Sequence, residues 1–129
     1  MNKILQIKNF NGLLDNFFDF LEESFVNFKA DMILARSTAE FVRRSNPRLV
    51  VEQFMEYISP YKTQIIECDE AFFLNLDIKN VKNVSHDNIL FGMKLKQIWE
   101  ISNLTDIQKA TVFYYFQQLL KTGELINSL

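Results

Sequence analysis

NPRLVVEQFMEYISPYKTQIIECDEAFFLNLD, residues Asn46–Asp77, holds both prolines, the only cysteine, the main acidic run and a paired phenylalanine. Asn46-Pro47 and Ser59-Pro60 each place a side-chain acceptor before a residue whose φ is already helical and whose missing N–H needs no partner. Both pairs therefore predict a helix start. From the first, Val50, Val51, Phe54, Met55 and Ile58 recur at helical spacing, while Arg48, Glu52, Gln53 and Glu56 fall elsewhere. That helix is expected to end near Ser59, since the residue before a proline is pushed out of the α region. The second helix begins at Pro60 and carries Tyr61, Ile65 and Cys68 inward, ahead of Glu67, Asp69, Glu70 and the apolar patch Phe72, Phe73 and Leu74.

Two helices meeting at a proline-set angle suit the composition. At 129 residues, 48% hydrophobic and 23% charged, the chain can bury one core without a disulfide or a structural metal. Three glycines and two prolines are too few for an all-β fold, which needs turn residues at short intervals. The expectation is all-α: a single helical domain over residues 1–129, built as a bundle of about five or six helices. A net charge of -2 gives no general pull toward nucleic acid or an anionic membrane, so any such contact needs a local patch. No apolar run approaches the roughly 20 residues of a membrane span, and no leader is visible, so a soluble, intracellular protein is expected, in cytoplasm, nucleus or virion.

Upstream of the opening stretch, a long helix is expected from Asn11 to about Phe28. Leu14, Phe18, Leu21, Phe25 and Phe28 form one row, and Leu13, Phe17 and Phe20 lie beside it. So wide an apolar arc requires cover on two sides, by its own domain or by another chain. With 13 phenylalanines in the chain, Phe18, Phe25 and Phe28 are named as interface candidates, and Asp15, Asp19, Glu22 and Glu23 as a solvated face. From Lys29 to Asn46 the pattern weakens, and a break near Ser37 is expected, with Ser37 or Thr38 as a new cap. All the arginines fall here: Arg36, Arg43, Arg44 and Arg48. Beside the helix start at Pro47 they form a candidate site for phosphate, carboxylate or nucleic acid. The alternative is surface pairing with Glu40, Glu52 and Glu56, individually weak.

Downstream, Asp77 to Asn88 reads as a polar connection, irregular near 77–86. Helix resumes near Ser85 or Asp87, with Phe91, Leu95, Ile98 and Ile101 inward, Trp99 beside Leu95, and Lys94 and Lys96 outside. Thr105 and Gln108 match a capping box. The last helix is expected from Asp106 to about Thr122, stopping at Gly123 as a left-handed cap. Its run Val112 to Phe116 is apolar around the helix, and Tyr114 and Tyr115 join the interface candidates. As base-stacking platforms they lack a basic groove, with only Lys109 and Lys121 nearby.

No catalytic site emerges. Cys68 sits among Glu67, Asp69 and Glu70, which would raise its pKa, and no motif surrounds it or His86; a core cysteine and a loop histidine are expected. The acids 67, 69, 70 and 77 lack calcium-loop spacing, and one cysteine with one histidine makes no structural zinc site. Gly12, Gly92 and Gly123 are isolated, so there is no phosphate-cradling loop. The expectation is a non-enzymatic protein-protein interaction module without cofactor or metal, either a homo-oligomer or a small subunit of a larger assembly.

The order Asn46-Pro47, Pro60-Tyr61, Ile65, Asp69, Phe72-Phe73-Leu74, then Leu95 and Ile98-Trp99 before a terminal amphipathic helix, resembles that of short uncharacterised proteins encoded by large DNA viruses of eukaryotes. The resemblance spans roughly 46–120 and omits the first helix. It implies a small helical protein acting through partners, in the particle or on host machinery, and supplies no catalytic residues.

Overall fold

The computed structural model describes residues 2–74, 94–100 and 102–129. Among them every regular element is helical. The order is α1 (Lys3–Ser24), a 3-10 turn (Val26–Phe28), α2 (Lys29–Ser45), α3 (Pro47–Ile58), a second 3-10 turn (Ser59–Tyr61), α4 (Lys62–Ile66), α5 (Ala71–Leu74), α6 (94–100) and α7 (Asp106–Ser128). The all-α bundle expected from the composition is what forms. The connection expected over 77–88, with His86, Phe91 and Ile101, lies outside the described residues.

Helix α1 begins well before Asn11. The Asn2 side chain accepts the Ile4 and Leu5 N–H groups at 2.9 and 3.4 Å, an N-cap that satisfies donors the helix itself leaves free. Ile7 and Phe10 then continue the inward row of Leu14, Phe17, Phe18 and Leu21. The helix also ends earlier than expected. Phe25 leaves it at φ -125° and ψ 73°, its N–H still bonded to the Leu21 carbonyl, and a single 3-10 turn carries the chain into α2.

No break occurs at Ser37. Helix α2 runs unbroken to Ser45, and the Thr38 hydroxyl donates to the Leu34 carbonyl at 3.0 Å instead of capping a new start. With neither glycine nor proline between 29 and 45, nothing in the backbone forces the helix to stop.

The two prolines behave differently. At Asn46 the chain is extended, φ -162°, and the Asn46 carboxamide accepts the Arg48 N–H at 3.0 Å to start α3 as expected. At Ser59 the backbone stays helical, φ -55° and ψ -39°, so the second pair makes no cap. Pro60 sits in the first turn of a tight 3-10 segment where its absent N–H costs nothing, and α3 passes into α4 without an extended residue. Helix α4 closes by a Schellman motif. The Asp69 N–H bonds the Gln64 carbonyl at 2.8 Å and the Cys68 N–H bonds the Ile65 carbonyl at 3.3 Å, with Cys68 at φ 55° in the position usually held by glycine.

The capping box at Thr105 and Gln108 is present, with bonds of 3.1 and 3.0 Å. Gly123, however, ends nothing: α7 continues through it to Ser128. A Cβ at 123 would lie 2.7 Å from the Met55 Cγ, so any side chain there would have to displace the flexible Met55 side chain of α3. Its smallness, not its backbone freedom, is what the fold uses.

Helix α1 lies between α2 and α7 and packs most extensively on α7. Rings hold the α7 side. Phe116 meets Phe17 at 5.3 Å, Phe72 at 5.5 Å, Phe73 at 5.6 Å and Phe54 at 5.9 Å between centroids, joining α1, α3, α5 and α7. Phe73 stacks on Trp99 of α6 at 4.1 Å and 15°. Such ring pairs add about 0.5–1.5 kcal/mol each beyond the area they bury.

Candidate functional site

The phenylalanines named as an interface are inside. Phe18, Phe25 and Phe28 are all buried in the chain's own core, so the expectation that they face another subunit is corrected. Phe18 lies under the Arg36 guanidinium, 5.5 Å from ring centroid to Cζ, and Phe25 meets Phe20 edge-on at 6.2 Å. The arc of α1 is wide because two neighbours of its own fold cover it. Tyr115 is half-buried and stacked on Phe17 at 5.0 Å, whereas Tyr114 is 54% exposed and touches Tyr115 at 5.8 Å.

The four arginines do not form one cluster: Arg43 and Arg48 flank the corner between α2 and α3, and Arg36 lies two turns earlier on α2. Arg43 makes a two-pronged pair with Asp15 at 2.8 and 3.1 Å. Arg36 bonds the Asp15 carbonyl at 2.8 Å, Asp19 at 2.6 Å and Glu22 at 2.9 Å. Arg48 pairs with Glu52 one turn on, at 3.1 Å. Arg44 is exposed and has no ion pair among the described residues. Of the acids expected as a solvated face, Asp15, Asp19 and Glu22 are the clamp of α2 onto α1 and only Glu23 stays exposed without an ion pair among the described residues; the order of pairing, 15 with 43 and 22 with 36, makes the two helices antiparallel. The start of α3 is equally self-sufficient: Asn46 takes the Arg48 N–H on its side chain and the Leu49 N–H on its carbonyl, at 3.0 Å each. No free N–H group remains at this helix start to hold a phosphate.

Cys68 is exposed, not in the core. It follows α4 at a corner fixed by the Schellman bonds and by Gln117, whose amide donates to the Ile65 carbonyl at 3.0 Å and approaches the Cys68 Sγ at 3.4 Å. Beyond the corner, Asp69 accepts the Ala71 N–H at 3.0 Å and starts α5. Glu70 takes the Lys109 ammonium at 2.9 Å and the Trp99 indole N–H at 3.0 Å. Those two hydrogen bonds, the Lys109 one foremost, hold the Glu70 carboxyl below the usual glutamate range. Glu67, by contrast, makes no ion pair among the described residues.

One concave surface stands apart from these internal contacts. The first turns of α1 overhang the corner between α2 and α3, leaving a groove of about 570 Å³ lined by Ile4, Ile7, Lys8, Asn11, Arg43, Asn46, Pro47 and Arg48. The extended backbone at Asn46 sets the corner, and Asn11, only 7% exposed, ties it to α1 by donating to the Pro47 carbonyl at 3.3 Å. The groove's walls are apolar, with Ile4 78% exposed. Its charges are all positive: Lys8 has no ion pair among the described residues, Arg48 has only its exposed partner Glu52, and Arg43 is neutralised by Asp15.

Sequence reasoning found Arg43, Arg48, Asn46 and Pro47 but missed Ile4, Ile7 and Lys8, because it started α1 at Asn11. The signal was present in the Asn2 cap and in the spacing of Ile7, Phe10 and Leu14. Among the described residues no group of three His, Cys, Asp or Glu is placed to hold a metal, and no helix is long and apolar enough to cross a membrane. No protein-family model, curated protein or solved structure matches this chain.

Proposed function

We propose that the chain is a non-enzymatic protein-protein interaction module whose docking surface is the groove between α1 and the α2–α3 corner. It works as a homo-oligomer or as a small subunit of a larger assembly, a viral one in keeping with the sequence resemblance. The observation that carries this reading is the groove itself: an apolar, concave surface whose charges are of one sign, in a chain whose Phe18, Phe25 and Phe28 are spent on its own core. Apolar surface of this kind gains about 25 cal/mol for each Å² covered, and rim charges select the partner by sign. The fitting partner is a protein segment with apolar anchors flanked by carboxylates.

A labelled amphipathic peptide with leucines on one face and glutamates beside them tests this by fluorescence anisotropy. Saturable binding is expected, weakened about tenfold by Ile4→Glu, which is roughly 1.4 kcal/mol, while the far-UV spectrum stays unchanged because Ile4 is exposed. If the acidic peptide fails to bind, or binds no better than its lysine counterpart, the docking reading is wrong.

A further inference from the structure

We infer that the groove's occupant is a second copy of this chain, seated through its own α4–α5 corner. The inference rests on the docking reading above and names the partner. The corner offers what the groove lacks. Ile66 is 56% exposed and is followed by Glu67, Cys68, Asp69 and Glu70, all exposed. Glu67 and Asp69 form no ion pair among the described residues, so their charge is free to act outward. The corner is also rigid: the Schellman bonds at Cys68 and Asp69, the Gln117 amide on the Ile65 carbonyl, and the Asp69 cap on α5 fix its backbone. A pre-ordered element loses little freedom on docking.

Charge decides the pairing geometry. Groove against groove would bring Lys8 and Arg48 toward their own copies, and corner against corner would oppose Glu67 and Asp69 in the same way. Groove against corner sets an exposed isoleucine and two carboxylates against apolar walls and two cations, with Lys121 and Glu124 beside Ile66 cancelling each other in charge. A net charge of only -2 leaves little general repulsion between copies. The two surfaces share no residue and no helix, so each copy presents both, and the contact is heterologous: head to tail, closing into a ring or extending.

Light scattering over a concentration series tests this with two variants of the full chain. Ile4→Glu with Lys8→Glu spoils the groove and spares the corner; Ile66→Ser with Glu67→Ser does the reverse. All four positions are exposed, so circular dichroism should match the wild type; a double variant that loses helicity is replaced by its single charge change, Lys8→Glu or Glu67→Ser. The wild-type mass is expected to rise above one chain with concentration, less so at higher salt. Each variant alone is expected to associate at least about tenfold more weakly. Their equimolar mixture is expected to form a dimer and stop there, because only one intact groove and one intact corner remain per pair.

A wild type that stays monomeric, variants that keep the wild-type mass, or a mixture that fails to dimerise would each overturn the inference. So would sedimentation with phosphatidylserine vesicles, abolished by the groove substitutions, in place of self-association. A monomer that still binds the acidic peptide rejects the second copy and keeps the docking reading; a monomer that binds neither rejects both.

Discussion

Helix α1 is held on its two sides by different forces. Toward α7 the contact is made of rings, centred on Phe17 and Phe116, fully buried and indifferent to salt. Toward α2 it is an ionic clamp, Asp15, Asp19 and Glu22 gripping Arg36 and Arg43 at the rim of the core. Ring packing supplies most of the stability because dispersion and burial act on every atom of a close-packed interface. Half-exposed ion pairs supply little net energy, but the two-pronged Arg43–Asp15 pair and the three acceptors around Arg36 help to fix how α2 lies against α1.

The ring side should break first. Phe116→Ala removes the hub shared by α1, α3, α5 and α7 and is expected to cost about 3–5 kcal/mol in urea unfolding. A smaller loss, at most about 1 kcal/mol, is expected for Gly123→Ala, because Met55 must shift while the helix interior gains from alanine. Adding Met55→Ala should recover part of that loss if the clash is its cause, and strict additivity in the double-mutant cycle would place the cause elsewhere.

On the ionic side, Arg43→Ala is expected to cost at most about 1 kcal/mol, since Asp15 is half-exposed. The difference should shrink in high salt, whereas the Phe116→Ala difference should not; salt dependence in both would erase the distinction between the two sides. Cys68→Gly acts in the opposite direction. It relieves a non-glycine residue at φ 55° and should stabilise by about 0.5–1 kcal/mol in thermal unfolding; a loss instead would show that the Cys68 side chain holds the corner.

The smallest effect is a pH dependence on the ring side. Glu70 is ionised more readily when folded, because Lys109 and Trp99 bond its charged form. Its contribution is therefore present above the unfolded glutamate value, near 4.3, and disappears as pH falls through the lower folded value. Glu70→Gln should therefore lower stability slightly at neutral pH and leave it unchanged at acid pH, flattening the acid limb, and the effect is small because the group is largely exposed. An identical acid limb in both proteins would show that Glu70 holds nothing.

Much of this was legible in the chain. Asn46-Pro47 and the box of Thr105 with Gln108 mark helix starts through bonds that span only two or three residues, so no tertiary information is required. The stripe Val50, Val51, Phe54, Met55, Ile58 likewise fixed the buried face of α3, since a 3.6-residue period maps directly onto one side of a helix. The all-α class followed from the scarcity of glycine and proline. Even the start of α1 was written in Asn2.

Tertiary contact decided the rest. Ser59-Pro60 has the same local chemistry as Asn46-Pro47 yet stays helical, so the dipeptide alone does not choose between a cap and a tight turn. Gly123 carries the ordinary mark of a helix end, but its role comes from Met55, far away in sequence. Phe18, Phe25 and Phe28 form an apolar face whether α2 and α7 cover it or another chain does, because periodicity specifies that a face is apolar and not what lies against it. The groove is tertiary in the fullest sense: Ile4 and Lys8 meet Pro47 and Arg48 only because α1 overhangs a corner built some forty residues later, and concavity has no sequence period.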